Sequence, residues 1–264
     1  MKKFFLLLLC FSNTTFALDV TVDGNEFRPF ANEYTKNILI KNNTETTYAG
    51  EIQIKKRKDL LSGEEVLSST QDFSFQPIRV LLPPDEEINL VVNWKGPKTL
   101  DVEQAYRLII SQKNFSNKSI SGINNKNPKF NINLSLEVQK SLFVLPEKGK
   151  ADTQLVSLQA IKSSPEISNT EKNAGDLKKN QLKIVLSNKG NLKEIISKMI
   201  VVLNPASGLE PKSTPYSFSP KNLQGKILIL PNTTREFYVD WPEDFPFNDT
   251  VQGNISFERS LSTE

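Results

Sequence analysis

The sequence of 264 residues contains no histidine and a single cysteine, Cys10. Histidine and cysteine are needed for a cysteine nucleophile, a Ser-His-Asp triad and the ordinary zinc and copper sites. Acidic residues are plentiful, but Glu86-Glu87 and Glu243-Asp244 fall at predicted turns and no pattern sets two acids across a cleft. The sequence also lacks a Gly-rich phosphate loop. We therefore expect a protein that is not an enzyme and that needs no metal or cofactor.

Residues 1–17 have the pattern of a secretory signal peptide. Lys2 and Lys3 precede an apolar run from Phe4 to Phe11, and a small-residue cleavage site ends at Ala17. The apolar run of eight residues is too short to span a bilayer. Cleavage would remove Cys10, and an exported protein without disulfides is typical of a bacterial periplasm. It would also lower the formal charge from +3 to +1, which disfavours broad attraction to nucleic acids or membranes.

Short strand-like runs separated by turn residues dominate the first half of the chain, and no amphipathic helix of normal length competes with them. The predicted strands are Leu18–Val22, Tyr34–Lys41, Tyr48–Ile54, Ile78–Leu82, Ile88–Trp94, Ala105–Ile110 and a final alternating stretch that ends at Pro146. Seven short strands in one such segment predict an all-β protein built on an immunoglobulin-like β-sandwich.

Part of this pattern recurs in the second half of the chain. Asn42, Pro83 and Trp94 are separated by 41 and 11 residues, and their counterparts Asn188, Pro231 and Trp241 by 43 and 10. The recurrence predicts two sandwiches of common design. We place the boundary at the polar hinge after Pro146, which gives a signal peptide (1–17), an N-terminal domain (18–146) and a C-terminal domain (147–264). Both tryptophans close apolar runs, so we expect them in the two cores.

The longest alternation in the chain runs from Phe130 to Pro146. Its apolar stripe consists of Phe130, Ile132, Leu134, Leu136 and Val138, and Lys140 then falls in phase with the stripe before Leu142 and Val144 resume it. One interpretation is an ordinary strand that covers its own core, with Lys140 guarding the edge against aggregation. The other is a strand offered to another protein by strand addition, with Lys140 as the cation for a carboxylate of that partner.

Two long polar segments interrupt the strand pattern. The first, from Ser111 to Lys129, leads directly into the alternating strand, and we expect it to be functional. The second, from Ser163 to Asn180, has a similar composition and is expected to be a solvated insertion.

Three stretches together resemble the periplasmic pilus-assembly chaperones of chaperone-usher systems. They are the Pro-rich run from Phe75 to Pro84, the segment Glu103–Leu108 with its sequence Glu-Gln-Ala-Tyr-Arg-Leu, and the alternating strand ending in Leu142-Phe143. The resemblance is best over residues 18–146, and in the second half it is carried mainly by Ile184–Asn191. It implies two immunoglobulin-like domains in an L-shaped arrangement, with pilin subunits bound along the last strand of the first domain.

The resemblance also implies that basic residues hold the C-terminal carboxylate of the subunit, one near the first strand and one late in the last strand. Arg28 and Lys140 are the candidates. Aligning Leu142-Phe143 with the family, however, puts Ser141 at the second position, so that Lys140 would need a bulge or a register shift. Arg107 is expected to be structural or peripheral. The extended loop before the last strand resembles one branch of the family, but the disulfide often found in that branch cannot form here.

The sequence thus predicts a periplasmic chaperone with pilin-like subunits and an outer-membrane usher as partners, without nucleic-acid binding or membrane insertion. Its exposed strand would also favour self-association. Two alternatives stay open. One is a structural or adhesive β-sandwich protein, in which the stripe is simply core. The other is a carbohydrate-binding module, which requires an exposed planar aromatic patch.

Overall fold

A computed structural model describes residues 18–22, 24–113, 136–163, 179–204, 215–223 and 227–259, except for the side chains of Asn222 and Arg259. Within these ranges the chain is almost entirely β, with single 3-10 turns at Pro29–Ala31 and Lys221–Leu223. No helix in the described ranges is both long and apolar enough to cross a membrane. The predicted signal peptide lies outside them.

The strands before residue 146 form two sheets that face each other. They are β1 (Leu18–Val22), β2 (Glu26–Phe27), β3 (Thr35–Asn42), β4 (Tyr48–Asp59), β5 (Glu65–Ser69), β6 (Phe73–Gln76), β7 (Arg79–Leu82), β8 (Glu87–Trp94), β9 (Gln104–Gln112) and β10 (Glu137–Val144). One sheet has the order β1-β3-β8-β6, and the other has the order β2-β10-β9-β4-β5 with β7 also paired to β4. We call this unit the first sandwich.

The remaining strands form a second sandwich of two smaller sheets. They are β11 (Thr153–Ile161), β12 (Gln181–Asn188), β13 (Glu194–Asn204), β14 (Tyr216–Phe218), β15 (Ile227–Ile229), β16 (Thr233–Asp240) and β17 (Gln252–Arg259). The sheet orders are β11-β12-β16 and β14-β13-β15, with β17 also paired to β13. The predicted all-β, two-sandwich architecture is confirmed.

Strand β4 is longer than the sequence predicts, because the charged residues of its second half show no alternation of apolar and polar side chains. The apolar alternation stops at Ile54, but the strand continues to Asp59. Arg57 and Asp59 are nevertheless buried there, because the guanidinium Nε and Nη2 of Arg57 donate to the carboxylate of Asp59 at 2.7 and 2.9 Å. Both side chains lie on the face of the sheet opposite to Ile52 and Ile54, and their mutual pairing offsets the cost of burying two charges there.

The two predicted core tryptophans are confirmed. Trp94 and Trp241 are 4% and 7% exposed and belong to the cores of the first and second sandwich respectively. Each indole N–H donates to a backbone carbonyl, that of Pro97 for Trp94 and that of Phe245 for Trp241. Neither ring offers the planar exposed surface that a carbohydrate-binding module would require.

The first pair of residues in the predicted repeat, Asn42 and Asn188, has the same structural role in the two sandwiches. Asn42 ends β3, and its side-chain amide donates to the carbonyls of Leu82 and Pro83 at 2.8 and 3.0 Å. Asn188 ends β12, and its amide donates to the carbonyl of Ile229 at 3.2 Å. Both asparagines are fully buried. Each sandwich therefore uses an asparagine to satisfy the carbonyl groups of a neighbouring turn.

Asn42→Ala is expected to lower the free energy of unfolding by about 2–3 kcal/mol, because several buried backbone groups lose their partner at once. The side-chain oxygen of Asn42 also accepts the backbone N–H of Thr44 at 3.0 Å. Urea unfolding measures the change, with Asn43→Ala at the exposed neighbouring position as the control. Equal stabilities of the two variants would contradict the role given to Asn42.

Candidate functional site

Strand β10 leaves most of one edge open among the described residues. It pairs antiparallel with β9 along its whole length, but it meets β2 only at Phe143 and Val144. The Phe143 N–H donates to the Asn25 carbonyl, on the β2 side, at 2.8 Å. Because backbone groups alternate in direction along an antiparallel strand, Gln139 and Ser141 also direct their N–H and C=O groups to this side. No described strand pairs with them there.

The side chains of the predicted stripe face the first core. Leu142 and Val144 are fully buried, and Leu136 and Val138 are half-buried against the same core. This part of the stripe covers its own domain, as an ordinary edge strand does, while the main chain at the edge remains available. Three further members of the predicted site, Phe130, Ile132 and Leu134, lie outside the described residues, as does most of the segment Ser111–Lys129.

A cleft of about 490 Å³ lies at the open edge of β10. Its described lining residues include two cations and no acid: Val22, Gly24, Asn25, Arg107, Gln139, Lys140 and Ser141. Lys140 is half-buried and makes no ion pair with any described residue. Asp23, which lies between two lining residues in the sequence, is outside the described ranges. The described part of the cleft is suited to an anion.

The second cation of this cleft comes from β9, the strand next to β10. Ser141 lies directly opposite Arg107 in the register of these strands, and the Arg107 Nη1 donates to the Ser141 Oγ at 2.5 Å. The other side of the guanidinium donates from Nε and Nη2 to the carboxylate of Glu65. The resemblance puts Ser141 where a cation is expected, and the structure brings the guanidinium of Arg107 to that place.

Arg28 is not brought together with Lys140. Its side chain is 42% exposed, does not line the cleft and pairs with Glu26 at 3.3 Å. Its backbone forms an isolated bridge with Glu33 next to the short strand β2. As a subunit-binding residue Arg28 therefore stays a prediction, with less geometric support than Lys140.

The C-terminal end of β10 is tied to the second sandwich by Lys193. Its ammonium lies 2.8 Å from the Glu26 Oε1, 3.0 Å from the Glu103 Oε1 and 4.2 Å from the centre of the Phe143 ring. The backbone N–H of Lys193 also donates to the Glu103 Oε2 at 2.8 Å. Burial raises the pKa of the Glu103 carboxyl, and the charge of Lys193 offsets this only in part.

Within the described ranges, no group of three or more acidic, histidine or cysteine side chains is placed to hold a metal ion. The candidate site is thus a strand edge with a cationic cleft. Its chemistry is that of main-chain hydrogen bonding and anion binding.

Comparison with known proteins identifies the fold. No protein-family model matches the sequence, and no curated protein matches it significantly. Among solved structures, 92% of the chain aligns with 97% of a chain in the chaperone–tip adhesion subunit pre-assembly complex from archaic chaperone-usher Csu pili of Acinetobacter baumannii. The sequence identity is 16% and the TM-score is 0.53.

Two further similar structures, a chaperone and a complex of a pilin with a chaperone, have lower scores. The E. coli chaperone DraB aligns over 87% of each chain with 16% identity and a TM-score of 0.46. The complex of the Salmonella enterica pilin SafA with the chaperone SafB aligns over 86% of this chain and 85% of the other, with 12% identity and a TM-score of 0.46. The fold assignment rests on the first comparison, which covers nearly all of both chains. The chain has the two-domain β-sandwich fold of the pilus-assembly chaperones.

Proposed function

We propose that this chain is a periplasmic chaperone that binds a pilin-like subunit along β10 and delivers it to an outer-membrane usher. The observation that carries the proposal is the open edge of β10 beside a cleft whose described charges are both positive. The Acinetobacter structure is a complex of a chaperone with a tip adhesion subunit, which supports the same class of partner here. The signal-peptide pattern in residues 1–17 supports the periplasmic location.

Binding would begin with the main chain. A strand of the subunit placed beside β10 would pair with the outward N–H and C=O groups of Gln139 and Ser141. Each such hydrogen bond contributes about 0.5–1.5 kcal/mol net. These bonds carry little sequence preference, which suits a chaperone that binds several related subunits. The same open edge would also allow two copies of this chain to pair in the absence of a subunit.

The apolar stripe would add side-chain specificity. Phe130, Ile132 and Leu134 are proposed to fill pockets of the subunit, with Leu136 and Val138 continuing the row. Leu142 and Val144 remain in the core of the first sandwich because they are already fully buried. The strand would therefore serve two proteins at once, the subunit through its first part and its own domain through its last part.

The cleft would hold the C-terminal carboxylate of the subunit. Lys140 has no partner among the described residues, and the Arg107 Nη1 lies at the cleft beside Ser141. Lys140 and Arg107 belong to opposite faces of the sheet, so a carboxylate at the edge of β10 would lie between them and could accept a charge-assisted hydrogen bond from each. The resemblance implies a cation at the position of Ser141, one residue after Lys140. Arg107 lies opposite Ser141 and can supply that charge, so β10 needs no bulge to bring Lys140 there.

Lys140→Ala is expected to weaken binding of an intact subunit about fivefold and to leave binding of the same subunit with an amidated C-terminus nearly unchanged. The reason is that Lys140 would interact with the terminal charge alone, and a partly exposed ion pair contributes about 1 kcal/mol. Titration calorimetry with the two forms of the subunit measures the difference. Lys162→Ala, at an exposed position of the second sandwich, is the control. If wild-type protein does not distinguish the two forms, the carboxylate site is wrong.

Co-expression with the subunits encoded near its gene tests the proposed function itself. A one-to-one complex isolated from the periplasm is expected. A structural or adhesive protein would yield no such complex, and a carbohydrate-binding module would instead bind a glycan through exposed aromatic rings.

A further inference from the structure

Five charged residues form a network that extends from the cleft to the second sandwich. Glu65 binds Arg107 and also forms an ion pair with the Arg57 Nη2 at 3.1 Å, and Arg57 is in turn paired with Asp59. Arg235, on β16 of the second sandwich, forms no ion pair with these residues, but its guanidinium is near enough to interact electrostatically with Arg57, Asp59 and Glu65. The network therefore connects the anion cleft at Arg107 with a residue of the other domain.

Arg235 is held close to the first sandwich by the turn between β4 and β5. A Cβ atom on Gly63 would clash with the Arg235 Nη2, so a larger residue at this turn would displace the guanidinium. The next residue, Glu236, donates its backbone N–H to the Leu61 carbonyl at 2.8 Å. The Arg235 Nη1 donates to the Leu228 carbonyl at 2.8 Å, while its buried Nε has no hydrogen-bond acceptor among the residues that the structure describes.

The charges of this network do not balance. It contains three arginines and two carboxylates, so that one positive charge has no counterpart among these five residues. Burial lowers the pKa of the Arg235 guanidinium, and the hydrogen bonds from Arg107 lower the pKa of the Glu65 carboxyl. The direction at Glu65 reflects the positive charge of the arginines around it, whereas the direction at Arg235 reflects its burial.

We propose that Glu65 and Arg235 set the affinity of the cleft for a carboxylate: Glu65 competes with the ligand for Arg107, and Arg235 supplies the excess positive charge. A bound carboxylate would act as the third acid of the network. The identity of the ligand as a chain-terminal carboxylate rests on the proposed function, but the charge argument does not. The competition follows from the geometry, since Glu65 already takes two of the guanidinium donors and leaves Nη1 for Ser141 and the cleft.

The two residues then have opposite effects. Glu65→Gln keeps the size of the side chain and removes its charge, which is expected to strengthen carboxylate binding about fivefold. Arg235→Gln removes a positive charge that does not touch the cleft, and it is expected to weaken carboxylate binding about twofold to threefold. The effect of Arg235 would therefore act through charge across the domain boundary, without a direct contact to the ligand.

The test uses acetate as the probe, because acetate binding needs neither strand addition nor an identified subunit. The full chain is titrated with sodium acetate at constant ionic strength, and the side-chain Nε–H resonance of Arg107 is followed by NMR. Wild type, Glu65→Gln and Arg235→Gln are compared with Glu64→Gln, which removes an exposed charge next to the network. Acetamide replaces acetate in the control titration, and backbone spectra verify that each variant is folded.

The expected result is a chemical-shift change at Arg107 that saturates with acetate. The acetate affinity obtained from it should be higher than wild type in Glu65→Gln, lower in Arg235→Gln and unchanged in Glu64→Gln. Equal acetate affinities in all four proteins, or no saturable shift in any of them, would overturn the inference. If one of the two key variants fails to fold, the other decides the question by the sign of its change. The acetate affinities could change as expected in a protein that never binds a subunit strand. That outcome would overturn the proposed function and leave this inference standing.

Discussion

Replacing Lys193 with methionine is expected to lower the free energy of unfolding by about 3–5 kcal/mol, the usual cost of removing one partner from a buried ion pair. The side chain of Lys193 is 8% exposed, and that of Glu103 is completely buried. Arg28 could still neutralise Glu26 in the variant, because it pairs with that residue. Among the described residues, Glu103 has no second cation, so its carboxylate would be left buried without a counter-charge.

Urea unfolding at neutral pH measures this effect, with Lys189→Met as the matched control. Lys189 is exposed, lies four residues away and makes no side-chain ion pair with a described residue. A loss of less than about 1 kcal/mol in Lys193→Met, the range of an exposed ion pair, would show that Lys193 does not join the two sandwiches as described.

The pH dependence of the same variant provides an independent check. The pKa of Glu103 is raised in the folded protein, so the folded state binds this proton more tightly than the unfolded state. The stability that depends on this proton is present below the ordinary carboxyl pKa and is lost as the pH rises through the raised value. Without Lys193 the pKa should rise further. The stability difference between Lys193→Met and wild type should therefore shrink on acidification, and Glu103→Gln should abolish that trend.

The second large effect concerns the apolar stripe. Leu136→Asp combined with Val138→Asp is expected to weaken subunit binding at least about 1000-fold, or about 4 kcal/mol. Each apolar side chain contributes about 1.5–3 kcal/mol when buried, and a carboxylate at the same place would have to be desolvated. Because both residues are half-buried, thermal unfolding must show that the double variant is folded. Val156→Asp adds a carboxylate at an exposed position of β11 in the second sandwich and serves as the control.

A double variant that is folded and still binds the subunit with wild-type affinity would mean that the stripe serves only the core of this chain. The structural or adhesive interpretation would then be preferred. The same result would not contradict the proposal that the cleft binds a carboxylate, which is tested separately with Lys140→Ala.

The strand pattern of the sequence predicts much of the fold because period-two alternation is a local signal. Strand β1 is predicted at Leu18–Val22 and found there, and β8 begins only one residue before its predicted start. Strand β5 escapes prediction because its residues are largely polar or exposed, and β6 because its alternation spans only four residues. The repeat of Asn42 and Asn188 is visible in the sequence, although its cause, the capping of a distant turn, becomes clear only from the hydrogen bonds.

The candidate site is harder to predict, because it depends on which residues of neighbouring strands lie opposite each other. Lys140 can be found from the pattern alone, since it breaks an apolar stripe. Arg107 cannot, because its place opposite Ser141 depends on the register of β9 and β10 across a connection of more than twenty residues. Lys193 and Glu103 are 90 residues apart, and no local signal links them.

The measurement that tests the account most directly is amide hydrogen exchange in β10, with and without a bound subunit. The amides of Gln139 and Ser141 face the open edge, whereas those of Val138 and Lys140 face β9. The account predicts that subunit binding slows exchange at Gln139 and Ser141 at least about 100-fold and changes Val138 and Lys140 much less. A complex in which Gln139 and Ser141 exchange as fast as in the free protein would contradict strand addition at β10.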